Sequence, residues 1–274
     1  MDKVIRYSLA LAVAGFFALM WGLLLRAHLP VAPSARFQPF YDNLLAPGQT
    51  ERTSKWGVYF GDRRIGEAET KIWEDESGMI SVRTNTEIRL TKAAAVVLGL
   101  TGTLDVEFLA RISPLRGLQS FDVESKLLNV QVMGTVAGGS MLVTGRFGED
   151  DLKANIPYEE GRLLSEVLSP LTALPPLDED LVGQDWTVDM INPIAGTVEQ
   201  VTVTVVGFKE ATLAEGPARV FRLLFATRST RWVCWVTEEG EVLIQGTPFG
   251  LSLQREDIPA AAIQELRRDP ARDR

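Results

Sequence analysis

ISVRTNTEIRL, residues Ile80–Leu90, decides how the rest of the chain reads. Val82, Thr84, Thr86 and Ile88 take alternate positions, with Arg83, Asn85, Glu87 and Arg89 between them. Successive side chains of a strand point to opposite faces, so this period of two predicts a β-strand with one dry face and one wet face. Immediately upstream, WGVYFGDRRIGEAETKIWE holds two strand-like runs, Gly57–Phe60 and Ile65–Trp73. The turn residues Gly61, Asp62, Arg63 and Arg64 join them into an opening hairpin. Downstream, further strands are predicted at Thr103–Ile112, Gln119–Leu128, Val130–Val136, Ser140–Phe147 and Leu152–Ile156. Turn signals at such short intervals indicate an antiparallel meander.

A second set of strands follows at Gln184–Met190, Thr197–Lys209, Ala218–Thr227, Thr230–Thr237 and Glu241–Thr247, the last two joined across Glu238, Glu239 and Gly240. Within Thr230–Thr237, Trp232, Cys234 and Val236 share one face while Val233 and Trp235 share the other, so this strand is expected to be covered on both sides. Between the two sets, Tyr158–Asp185 reads as a short helical piece, Glu160–Leu168, followed by Pro170, Pro175 and Pro176. That pattern marks a crossover between two halves of one sheet. Lys92–Leu100 (KAAAVVLGL) is an apolar run too short to cross a bilayer. It is either buried packing or a hydrophobic loop at the rim of the sheet, offered to lipid or a partner. The chain closes on AAAIQELRRDPARDR, a brief helix and a charged tail expected to be disordered.

Ahead of this β-region, Tyr7–Leu25 (YSLALAVAGFFALMWGLLL) runs for 19 residues without a charge. As a helix it would span about 28 Å, close to the ~30 Å hydrocarbon core of a bilayer. Trp21 suits an interfacial aromatic belt and Arg26 is placed to snorkel, which favours a retained anchor over a cleaved signal peptide. Lys3, Arg6 and the terminal amine precede the span, giving a positive-inside bias toward a cytoplasmic N-terminus and an extracytoplasmic β-domain. The resulting organisation is an anchor over 1–28, a Pro-containing linker over 29–55, a β-domain over 56–263 and a charged tail over 264–274.

The chain of 274 residues carries a formal charge of −8; residues 1–28 hold Asp2, Lys3, Arg6 and Arg26, net +2, which leaves −10 on the rest. An acidic domain is a poor partner for nucleic acid or anionic lipid head groups, so its binding surface should be apolar or should face basic proteins. With a single cysteine, Cys234, an internal disulfide is excluded.

Four phrases in this order, WGVYFGDRRIGEAE, GLQSFDVESKLLNVQVMGTVAGGSMLV, LVGQDWTVDMINP and RWVCWVTEEGEVLIQGTPFGLSLQRED, resemble the extracytoplasmic β-module found ahead of bacterial transglutaminase-like domains. That module is similar in turn to half-barrel periplasmic proteins of the lipoprotein-carrier type. The resemblance covers roughly residues 56–263 and includes the turn phrase WVTEEGEV, residues 235–242. It implies a strongly curved antiparallel sheet around a helix or ligand, without catalytic residues of its own. The expected fold is therefore mainly β: one N-terminal transmembrane helix plus a curved antiparallel sheet, half-barrel or sandwich-like, with one or two short helices. The implied location is the bacterial inner membrane, single-pass, with the large domain on the periplasmic side.

An inventory of chemistry-bearing residues argues against an enzyme. His28, the sole histidine, stands at the membrane exit, far along the chain from Cys234, and a reactive thiolate needs a nearby base or positive field. Cys234 reads as a small buried apolar residue. No nucleophile elbow, phosphate loop or zinc-protease motif occurs, and no cofactor is expected. Glu149, Asp150 and Asp151, and likewise Asp178, Glu179 and Asp180, lack the alternating ligand spacing of a calcium loop and read as solvated turn charge.

Two functions remain. In the first, the protein is a non-catalytic accessory subunit: the helix, with Gly15 and Gly22 permitting close approach, packs in lipid beside other membrane subunits, and the β-domain docks on their outer face. In the second, the curved sheet holds an acyl chain or other apolar ligand. Val96, Val97, Leu98, Phe221, Phe225, Trp232 and Trp235 are the candidates for such a ligand or partner surface.

Overall fold

The computed structural model describes residues 44–45, 48–90, 102–158, 163–164, 174, 176–192, 197–228, 230–247 and 250–267, all within one compact unit, Arg36–Arg274. The anchor candidates Tyr7, Gly15, Trp21, Gly22, Leu25 and Arg26 lie outside the described residues, as do Lys92–Leu100 with Val96, Val97 and Leu98. Among the described residues, no helix is long and apolar enough to cross a membrane.

The chain is mainly β. A first meander comprises β1 (Glu51–Phe60), β2 (Arg63–Glu74), β3 (Ile80–Leu90), β4 (Gly102–Ser113), β5 (Gly117–Ser125), β6 (Val130–Ala137), β7 (Ser140–Phe147) and β8 (Asp150–Pro157). After a two-residue strand β9 (Leu163–Leu164), a second meander comprises β10 (Asp185–Asn192), β11 (Thr197–Leu213), β12 (Gly216–Ala226), β13 (Arg231–Thr237), β14 (Val242–Gly246) and β15 (Leu251–Arg255). One helix, α1 (Ala260–Arg267), follows.

Among the described residues, fifteen strands join in one curved sheet, in the order β8-β7-β6-β5-β4-β3-β2-β1-β15-β14-β13-β12-β11-β10-β9. Every neighbouring pair is antiparallel except β9 with β10. The first meander grows outward from β1 to one edge, and the second starts at the other edge and grows back. They meet where β1 pairs with β15, with Trp56 opposite Arg255 and Phe60 opposite Leu251. The expected crossover between two halves is what the strand order requires, since β8 and β9 occupy opposite edges. Register shifts at Val58/Tyr59, Arg111/Ile112, Val205/Gly207 and Trp235/Val236 add a residue to one strand of each pair. Such bulges bend a strand and increase its twist, which is how a sheet this wide curves.

Several expectations are corrected. β1 starts at Glu51, inside the segment read as linker, because the residues from Glu51 to Lys55 find partners from Trp73 to Glu69 on β2. The helical reading of Glu160–Leu168 fails at Leu163–Leu164, which pair in parallel with Met190 and Ile191. The helix α1 runs to Arg267, past the point where the tail was placed, because Leu266 is buried. Finally, β15 was not anticipated: its five residues carry only two large apolar side chains, Leu251 and Leu253, and its role is set by its neighbours β1 and β14.

The core lies on one face of the sheet, called inner here. Val82, Thr84, Thr86 and Ile88 are buried there, as their alternation requires, together with Val106, Phe108, Val132, Met141 and Val143. From the second meander, Val203, Phe221, Leu223, Cys234 and Val236 join the same core. Thr70 and Thr84, opposite each other on β2 and β3, share a hydroxyl hydrogen bond of 3.0 Å, which makes two inward threonines tolerable. A smaller core sits on the outer face, where Ala262 and Leu266 of α1 cover Val220, Trp235, Leu243 and Ile244. Strand β13 is thus buried on both sides, with Cys234 and Val236 inward and Trp235 outward, as its composition requires.

Candidate functional site

On the outer face of the first meander, the acidic residues of neighbouring strands fall into register. Glu67 on β2 stands opposite Glu87 on β3, which stands opposite Asp105 on β4. One row along, Glu69 faces Asn85, Asn85 faces Glu107, and Glu107 faces Glu124 on β5. Residues opposite one another in an antiparallel pair have Cβ atoms roughly 5 Å apart, and like charges placed so are destabilising. Here the arrangement occurs three times, at Glu67/Glu87, Glu87/Asp105 and Glu107/Glu124.

These two rows wall a groove of about 770 Å³. Its floor is the backbone of Trp56, Ala68, Thr86, Val106 and Ser125, whose side chains are buried on the inner face. Seven carboxylates, Glu256 included, and two lysines, Lys55 and Lys126, line it. Some of the charge is answered from the flanks: Arg83 pairs with Glu107 at 3.3 Å, Arg89 with Glu87 at 3.4 Å, and Arg64 bridges Glu67 and Glu256. All these groups are solvent-exposed, where such pairs are worth little. Among the described residues, Glu69, Asp105 and Glu124 have no ion-pair partner.

The groove borders an apolar strip. Asp122, outward on β5, stands between Leu109 on β4 and Met133 on β6. Burial among these neighbours, followed by the charges of Glu124 and Glu107, raises its carboxyl above the ordinary carboxylate value. Met133 and Leu142 are exposed at 46% and 47%, diagonal neighbours on the outer face of β6 and β7.

The aromatic candidates from the second half are placed otherwise. Phe221 and Phe225 are buried in the inner core, and Phe225 stacks on Trp232 with ring centroids 5.5 Å apart. Phe221 also lies 5.6 Å from the ring of Phe208. Trp235 is on the other face, beneath α1, with the Lys209 ammonium 5.4 Å over its ring. The structure therefore brings Phe221, Phe225 and Trp232 together in packing and separates Trp235 from them. Cys234 is buried in the inner core, 1% exposed. Glu149, Asp150 and Asp151 are exposed at the β7–β8 turn, and Glu179 of the crossover pairs with Arg219 at 2.8 Å. Among the described residues, no three His, Cys, Asp or Glu side chains are grouped as the ligands of one metal ion would be.

The acidic rows were not singled out from sequence, although a signal was present. Glu67-Ala68-Glu69, Asp105-Val106-Glu107 and Asp122-Val123-Glu124 repeat an acidic–apolar–acidic triplet on three strands. Each triplet alone is an ordinary amphipathic strand segment. Only the register makes them adjacent.

No protein-family model matches the chain, and no curated protein matches it. Among solved structures, the crystal structure of a β-barrel-like protein of the domain of unknown function DUF1849 from Brucella abortus aligns with a TM-score of 0.45 and 11% identity, over 81% of this chain and 96% of that one.

Proposed function

We propose that this chain is a non-catalytic accessory subunit, held at the bacterial inner membrane by its N-terminal segment, whose periplasmic β-domain docks on a larger membrane protein assembly. The observation that carries the reading is the open groove with directly opposed carboxylates. An isolated sheet gains nothing from setting Glu67, Glu87 and Asp105 in line, because each contact costs stability. A partner that brings positive charge to the groove removes that cost and makes the arrangement favourable on binding. The sequence adds two supports. Tyr7–Leu25 has the length and flanks of a retained span, and the turn phrases resemble a non-catalytic extracytoplasmic module.

The test is extraction of the full chain from its native membrane in mild detergent, followed by size analysis and identification of co-migrating proteins. A stable, stoichiometric membrane partner is expected. Migration as a lone monomer across several mild detergents would sink the reading.

A further inference from the structure

We infer that the outer face of β1–β7 docks an extended segment of the partner protein in which a run of lysines and arginines leads into apolar residues. The inference rests on the docking reading above and names the chemistry of what docks. Three features of the face define the occupant.

The first is the layout of charge. The carboxylates are strung along two walls, and no three of them among the described residues are grouped to hold one metal ion. A row of separate cations answers this layout, and a single bound ion does not. The second is length. The groove crosses five strands, and four inter-strand spacings of about 4.8 Å make roughly 19 Å, the reach of five or six extended residues at about 3.3 Å each. Successive side chains of an extended segment project to opposite sides, so basic residues at consecutive positions would meet the wall of Glu67, Glu87 and Asp105 and the wall of Glu69, Glu107 and Glu124 in turn. The third is continuity. Straight beyond Glu124 the next outward residues are Gln131 on β6 and Arg146 on β7, whose charge ends the run of cations. The row beside the Glu107/Glu124 wall is apolar at Leu109 on β4 and Met133 on β6, with Leu142 diagonal to it on β7, so the continuation of the segment lies over that row. The charge excludes nucleic acid and anionic lipid as occupants.

The probe is a synthetic peptide of alternating lysine and arginine continued by leucines, titrated against the full chain in detergent. Two control peptides accompany it, one wholly basic and one with glutamates in place of the basic residues. Binding of the first two and not the third is expected, weakening as salt rises. The paired change Glu87→Lys and Asp105→Lys should lower the affinity for both basic peptides by about tenfold or more, and the milder Glu87→Gln and Asp105→Asn should act in the same direction. Reversal of Glu149, Asp150 and Asp151, acidic but outside the groove, should leave binding unchanged. Met133→Ser with Leu142→Ser should weaken the leucine-bearing peptide and spare the wholly basic one. Equal loss from the two acidic clusters, or no binding, overturns the inference. So does calcium binding that displaces the peptide and disappears with the same groove variants. The docking reading is judged separately: a membrane partner that co-migrates equally with wild type and the Lys-reversed variant leaves docking standing and removes the groove as its site.

Discussion

Gly134 on β6 stands directly opposite Phe121 on β5, and a Cβ added there would lie 2.1 Å from the Phe121 ring. Phe121 is buried and lies across the glycine, covering backbone that a side chain would otherwise shield. Gly134→Ala must push the ring out of the core or shift the strand, so a loss of about 1–3 kcal/mol is expected, read from urea unfolding with an unchanged m-value. A second residue-scale prediction concerns charge. Arg255 hydrogen-bonds Asp257 and, at 2.8 Å, Glu241, which Arg52 of β1 also contacts at 2.7 Å. The hydrogen bond from Arg255 holds the Asp257 carboxyl below its ordinary value. A depressed folded-state value contributes stability that is fully present above the unfolded carboxylate range and is lost as pH falls below that range and through the lower folded value. Asp257→Asn should therefore lower the thermal midpoint at pH 7, and the gap from wild type should close as pH drops below about 4. A gap that persists at low pH would show that packing, not the ion pair, is what Asp257 contributes.

At the scale of elements, amphipathic strands were the easiest to read and doubly covered ones next. The ends predicted for Ile80–Leu90 and Ser140–Phe147 coincide with β3 and β7, because in both a run of alternation ends at turn residues or at a change of pattern. The two-sided burial of β13 was legible because apolar residues fill both alternate sets. The length of α1 was not legible from Arg267 and Arg268, since what extends it is the contact of Leu266 with the outer core. Its end is tied by Arg267 to Ser252 at 3.2 Å, and the Lys209 ammonium donates to the Glu265 carbonyl at 3.0 Å. An isolated eight-residue helix is unstable in water, so packing holds it. Leu266→Ala is expected to cost about 2–5 kcal/mol and to expose Trp235, seen as a red shift and increased quenching of tryptophan fluorescence.

For the whole molecule, the junction between β1 and β15 unites the two meanders. Nearly every other pairing is between strands adjacent in sequence, so each meander forms through local contacts, whereas this one brings residues from Trp56 to Phe60 against residues from Leu251 to Arg255. Contacts so distant along the chain carry the largest loop-closure cost and form late. A chain ending at Thr247 lacks β15 and α1, leaving β1 and β14 with unpaired edges. It is expected to lose the single cooperative unfolding transition and to aggregate, a comparison made by calorimetry and size analysis against the full chain. The acidic groove belongs to this scale as well, because it spans five strands and none of its residues is informative alone.

The sequence by itself determined the local things: strand periodicity, the faces of β3 and β13, the turn positions, the acidic balance and the burial of Cys234. These follow from side-chain alternation and backbone preference over a few residues, which neighbours in the chain specify. Tertiary structure alone decided the closure of the sheet through β15, the strand pairing of Leu163–Leu164, the separation of Trp235 from Phe221 and Phe225, and the alignment of acidic residues from β2, β3, β4 and β5 into one groove. Those depend on register between strands, where a slip of one residue would turn every carboxylate from the outer face to the inner.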